Sequence, residues 1–384
     1  MYNQRVIFLI SCAGMLLFGI TLITLGAVLP DLRLKHALDE QHAGALFALL
    51  PLGILAGSLL FGYGCDRYGY KWILIGSCLL IAAGLCGIAA LQSVFWLKYA
   101  VFVFGLGGGS INGATNALVA DISHTHKSAN LSLLGVFFAV GALGVPLLLG
   151  LLGEKTGFEL ILFSTALLSV MGAVAMYRVN YPPPKDFSTI PASAILKTLN
   201  SRLILLVAVF LFFQSSIEAI VHNWITSYLI QERSIVPEKA LYALTMNVVG
   251  MALMRLLMGG LLRKRSEAEM LLASMVLLVL SSIGLRIASS YGGLITALTL
   301  LGAGMAAGFP VMYAITGRAY ARISATAFSF ILVIALLGNM ILNYLMGIIA
   351  ERYGIGHVTG FILAEAVLML GLSILVLRAE RHSY

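Results

Sequence analysis

Charge is scarce in this chain. Lys, Arg, Asp and Glu make up 10% of its 384 residues, against 60% apolar residues. A water-soluble domain needs more polar surface than that, so the soluble globular class is excluded. Cysteine is scarce too. Cys12, Cys65, Cys78 and Cys86 all lie in the first quarter with no CxxC or paired spacing, which argues against a disulfide framework and a zinc site. Catalytic signatures are missing: there is no H-E-x-x-H, no G-x-S-x-G and no P-loop lysine motif. The stretch "GLGGGS" lies inside an apolar run rather than after a strand, so it does not read as a dinucleotide loop. Neither an enzyme nor a cofactor is expected. The net charge of +8 is scattered over short connections, which argues against a nucleic-acid partner.

Long apolar runs are plentiful. They recur at roughly 6–30, 41–63, 72–92, 97–120, 130–153, 158–180, 203–230, 240–262, 269–289, 293–317, 325–349 and 357–378, each about the length that crosses a bilayer. The expected class is an all-α membrane protein with twelve transmembrane helices. The first run is too long for a signal-peptide core and has no clear cleavage site, so it reads as a retained helix. Abundant glycine, 40 residues, suits helices that pack closely in lipid. Most of the basic residues fall in one alternating set of connections, among them Arg5, Arg67, Lys71, Arg178, Lys185, Arg263, Lys264 and Arg265. The positive-inside bias therefore places both termini in the cytoplasm, with the chain in the inner (plasma) membrane. The Pro-rich stretch "NYPPPKDFSTIPASAILKTLN" reads as a cytoplasmic linker. The expected organisation is a six-helix bundle over 1–180, a linker over 181–201 and a second bundle over 202–384.

A constant offset of 197 positions relates the halves. It pairs Gly53 with Gly250, Gly62 with Gly259, Gly105 with Gly302 and Gly141 with Gly338. It also pairs Glu154 with Glu351 and Gly157 with Gly354. An offset of six spans makes the halves parallel repeats, an arrangement of transporters with a central site near the bilayer midplane.

The loop after the second run, "GYGCDRYGYK", contains Gly62, Asp66, Arg67, Gly69 and Lys71. Its glycines permit close approach and a sharp turn, and its charges can pair across helix ends as a conformational latch. The plainer reading is ordinary positive flanking. G-x-x-x-D-R-x-G-x-K at this place resembles the signature loop of the major facilitator superfamily, and the resemblance extends over essentially the whole chain. A narrower similarity, to fucose-permease-like and hexose:proton symporters, rests on "GLGGGSINGATNALV", on "NLSLLGVFFAVGALGVP" and on Glu218, Trp224 and Tyr228 in an E-x5-W-x3-Y pattern. The chain departs from that group in two places. Gly26 stands four residues before Pro30, where the fucose permease has a carboxylate, and Asn112 replaces the carboxylate of its fourth helix.

Polar residues inside the runs are the site candidates, because each is costly in lipid unless it faces a partner or a cavity. Gln214, Glu218 and His222 are four apart and line one stripe of the seventh helix. Glu218 is the candidate for proton coupling, with a structural hydrogen bond as the plain alternative. Asn112 and Asn116 share a face, as do Asn339 and Asn343. Their amides suit sugar hydroxyls, or equally glue between helices. The repeat sets Phe309 and Tyr313 opposite those first two amides. Asn223, Trp224 and Asn247 complete the substrate-binding candidates. Arg255 shares a face with Asn247 and is expected to pair with a carboxylate or a helix end, and Glu365 has no clear role. His124 and His126 lie in a loop without further metal ligands. The resemblance implies a monomer in the lipid bilayer that takes up a hexose-like sugar with protons. Sodium is the alternative coupling ion. The competing functions are a proton-driven exporter of drugs or metabolites and a non-transporting ligand sensor.

Overall fold

The computed structural model describes residues 2–38, 40–123, 125–185 and 198–381. Residues 186–197 of the expected linker, and His124, lie outside the described residues. An apolar run can cross hydrocarbon only by closing its backbone hydrogen bonds internally. Among the described residues, twelve helices are long and apolar enough to do so: α1 Gln4–Leu29, α2 Ala45–Tyr68, α3 Tyr70–Ala90, α4 Val94–Ile122, α5 Lys127–Val145, α6 Thr156–Tyr177, α7 Arg202–Gln231, α8 Lys239–Leu261, α9 Glu267–Ile287, α10 Tyr291–Ala319, α11 Ala321–Tyr353 and α12 Ile355–Arg381. The chain is a multi-pass membrane protein, with no strand among the described residues.

Local chemistry marks the helix ends. The Ser201 hydroxyl accepts from the Ile204 amide at 3.4 Å at the head of α7, and the Ser266 hydroxyl from the Glu269 amide at 3.1 Å at the head of α9. Both bonds satisfy amides that have no partner within the helix. Gly157 and Gly354, partners under the offset of 197, have φ of 73° and 93°; the first kinks the chain at the head of α6 and the second breaks it between α11 and α12. Helix α10 is interrupted between Met305 and Gly308, leaving segments Tyr291–Met305 and Gly308–Ala319. Just beyond α6, Tyr181 is packed into the fold, and burial pushes its hydroxyl above the ordinary tyrosine range.

The chain forms two compact units. The first takes in 1–124, 134–191 and 320–329, and the second 125–133, 192–319 and 330–384. They cut across a division at the linker in two places. The head of α11 belongs with the first unit, and the head of α5 with the second. In the first unit α4 packs against α1, α2 and α3. In the second, the first segment of α10 packs against α8 and α9, and α7 lies against α8 and α12.

Small residues permit this packing. A methyl group on Gly105 of α4 would meet the Leu50 carbonyl oxygen of α2. One on Gly302 of α10 would meet the Asn247 carbonyl oxygen of α8. Since 50 and 247 are also 197 apart, the repeat seen in the sequence is a repeat of backbone contacts.

Candidate functional site

In the second unit, the stripe on α7 meets α8. The Gln214 side-chain amide donates to Glu218 Oε1 at 2.6 Å and to the Met305 carbonyl at 3.0 Å. Met305 closes the first segment of α10, so the stripe sits where that helix is interrupted. Arg255 Nη2 lies 3.9 Å from Glu218 Oε1. Arg255 is 7% exposed, and Gln214 is fully buried. Glu218 keeps 21% of its side-chain surface, enough to meet water or a bound molecule. Two polar atoms here are buried without a hydrogen-bond partner: Arg255 Nε and Gln214 Oε1. His222 continues the stripe one turn further on and is accessible.

A second amide cluster joins α7 to α11. Asn223 Nδ2 and Trp224 Nε1 both donate to Asn343 Oδ1, at 3.1 and 3.2 Å. The Asn343 amide in turn donates to the Asn339 carbonyl at 2.9 Å. Asn247 is set apart from these groups. Its amide donates to the Leu298 carbonyl at 2.9 Å and ties α8 to α10. The Phe309 and Tyr313 rings pack edge to face at 5.8 Å on α10. Glu365 on α12 is 3% exposed and accepts from the Ser216 hydroxyl at 2.6 Å, on a different side of α7 from the Gln214 stripe.

In the first unit, Asn116 Nδ2 donates to the Asn112 carbonyl at 2.9 Å and to Asn112 Oδ1 at 3.1 Å, with Met15 Sδ at 3.7 Å. Thr21, the repeat partner of Glu218, is buried and bonded to the Leu17 carbonyl. Only the second copy of this position carries an acid.

The signature loop divides into two parts. Asp66 is fully buried. It accepts from the Thr326 amide and hydroxyl, both at 2.8 Å, at the head of α11. Lys185, beyond α6, bridges Asp66 at 2.9 Å and Asp121 at 2.8 Å. Asp121 also accepts from Tyr70 and Ser324, each at 2.6 Å. Gly62 lies against Ser329, whose hydroxyl bonds the Ser58 carbonyl, and Gly69 makes the turn at φ 85°. Arg67 and Lys71 stand outside this network. Arg67 is exposed and stacks on Tyr63 and Tyr68, bonding the Tyr63 hydroxyl. Lys71 lies over the Tyr177 ring at 4.4 Å. The cation expected from the loop is thus supplied by Lys185. In sequence it is one charge in a Pro-rich connection, and nothing there marks it as the partner of Asp66.

The offset locates a counterpart in the second unit. Arg318, the partner of Asp121, bonds Glu267 at 2.9 and 2.6 Å and Glu380 at 2.8 Å. Glu267, the partner of Tyr70, also accepts from Ser128 at 2.7 Å at the head of α5. The positions recur while the charges change sign. Among the described residues, no group of three His, Cys, Asp or Glu side chains is placed to hold a metal ion.

Twelve helices in two repeats, each with a tied-down helix head, define a transporter architecture. The family model of the Major Facilitator Superfamily matches residues 9–266, and the chain belongs to that superfamily of transporters. It is 27% identical to the 3-(3-hydroxy-phenyl)propionate transporter of Escherichia coli over 385 residues, 95% of this chain and 92% of that protein. It is also 27% identical to the cis,cis-muconate transport protein of Acinetobacter baylyi over 246 residues. That match takes in 60% of this chain and 59% of the relative, less than two thirds of its length. Among solved structures, a variant of the E. coli fucose:proton symporter superposes with a TM-score of 0.83 at 17% identity, covering 96% of this chain and 98% of that one. This last likeness is one of fold.

Proposed function

We propose that the chain is a secondary transporter that takes up a small organic carboxylate together with protons, by alternating access. It acts as a monomer in the inner membrane with both termini in the cytoplasm, following the basic bias of its connections. The observation that carries this reading is Arg255, a guanidinium buried in a membrane-spanning helix with its Nε unpartnered and a carboxylate beside it. A cation at such depth is costly and marks a substrate or ion path. Guanidinium geometry matches a carboxylate. The two sequence relatives are named for carboxylate substrates, and one of them aligns over nearly the whole chain. Glu218, next to Arg255 and accessible, is the coupling group.

The second reading is uptake of a hexose-like monosaccharide. It draws on the amides of Asn112 and Asn116 in the first unit and of Asn223, Asn339 and Asn343 around Trp224 in the second. Purified protein in proteoliposomes decides between the two. Labelled 3-(3-hydroxyphenyl)propionate, benzoate, fucose and glucose are offered with an acidic exterior. Protein-free liposomes are subtracted, because protonated acids cross lipid unaided. Saturable accumulation of an acid and of neither sugar is expected. Accumulation of a sugar alone would replace the first reading by the second. Uptake that runs only against the proton gradient would make the protein an exporter.

A further inference from the structure

We propose that Arg255 is the receptor for the carboxylate of the substrate, and that the substrate and the Glu218 carboxylate alternate as its counter-ion. This deepens the carboxylate reading above and rests on it.

The chain makes two different kinds of ion pair. Arg318 grips Glu267 through two nitrogens at 2.9 and 2.6 Å and adds Glu380 at 2.8 Å, the short forked geometry of a structural pair. Arg255 is far more buried, yet among the described residues its single approach to a carboxylate is 3.9 Å. A guanidinium held for structure alone would be gripped more tightly than that, since burial raises the cost of every unmade bond. Glu218 is turned instead toward Gln214, which holds the same Oε1 at 2.6 Å. Arg255 Nε is left as a buried donor with no acceptor, and Gln214 Oε1, also without a donor, packs against Gly308. Buried donors and acceptors are paired almost everywhere in proteins. The unpartnered donor on Arg255 can therefore take an anionic acceptor.

The charges then couple the two cargoes. With Glu218 ionised, Arg255 and Glu218 sum to zero. With a proton on a Glu218 oxygen and a monocarboxylate on Arg255, the sum is again zero. Both anions together, or neither, leave a net charge in a medium that penalises it. Each carboxylate therefore travels with one proton, taken up by Glu218 from the outer side and released to the inner side. A monoanion moves with no net charge, whereas a dicarboxylate would leave one charge unbalanced. The other titratable groups near the pair are His222, one turn further along α7, and Glu365 on α12, which is bonded to Ser216; α10 presents the Met305 carbonyl.

The test uses the full chain with 3-(3-hydroxyphenyl)propionate and benzoate as probes. Binding is measured in lipid nanodiscs for the wild type, E218Q and the double variant E218Q/R255Q. The double variant removes both charges, so no uncompensated ion is left to unfold it, and its melting temperature is checked against the wild type. E218Q is expected to bind the acid with little dependence on pH and to exchange labelled for unlabelled acid, but not to accumulate it on a pH gradient. The double variant is expected to bind on the order of 100-fold more weakly than E218Q. Wild-type accumulation should be insensitive to a potassium-valinomycin potential. A folded double variant that binds as tightly as E218Q would overturn the proposal, and so would uptake that follows the membrane potential. If the wild type accumulates no carboxylate at all, the carboxylate reading itself fails instead.

Discussion

At the scale of single residues, the cost of a polar group in lipid is the guide, and it separates groups that bind from groups that brace. Asn247 ties α8 to α10: its side-chain N–H donates to the Leu298 carbonyl while its Oδ1 is buried without a partner, and in sequence it shares a face with Arg255. Asn247→Leu should lower stability by about 1 kcal/mol and leave the affinity for carboxylate unchanged. Thermal unfolding in detergent and ligand binding check the two halves of that statement. Lost binding at an unchanged melting temperature would move Asn247 into the site. Glu218 was legible from the sequence, because a carboxylate in the middle of an apolar run needs a reason. Arg255 is expected to pair with a carboxylate or a helix end, but the sequence does not say with which. Whether Arg255 faces α7 depends on the rotation of two helices about their axes, and spacing along one helix fixes that only relative to its own neighbours. The same limit hid Lys185, which lies in a polar connection with no periodicity at all.

At the scale of helices, glycine sets how closely backbones approach, and the repeat preserves those approaches better than it preserves side chains. The spans and their order were readable because hydrophobic length is a strong signal. The interruption of α10 at Ala306 and Ala307 was not, since alanine favours helix and gives no local warning. Gly302→Leu should drive α10 off the Asn247 carbonyl and abolish folded protein or lower its melting temperature sharply. Leucine at Gly76 of α3, where an added Cβ meets nothing within 4 Å, should cost little. Size-exclusion profiles of the two variants compare them directly. Equal tolerance at both positions would contradict the packing described.

At the scale of the whole molecule, each unit ties down the head of one helix drawn from the other half of the sequence. The first unit holds α11 through Asp66, Asp121 and Lys185. The second holds α5 through Glu267 and Ser128. Lys185→Met leaves Asp66 buried without its cation, a loss of about 3 kcal/mol for a broken buried pair. It should loosen the α11 head, so that a cysteine at Ser329 reacts faster with a hydrophilic maleimide. Arg67→Ala should leave that labelling rate unchanged. The opposite pattern would return the latch to the signature loop's own cations.

Proton-coupled carriage of a carboxylate is the proposed function. It is tested most directly by recording internal pH and labelled 3-(3-hydroxyphenyl)propionate at the same time in proteoliposomes, with protein-free liposomes subtracted. The expected result is saturable entry of one proton with each acid molecule, abolished in E218Q. Acid entry with no accompanying acidification beyond the protein-free control, or an E218Q protein that still accumulates acid, would contradict it.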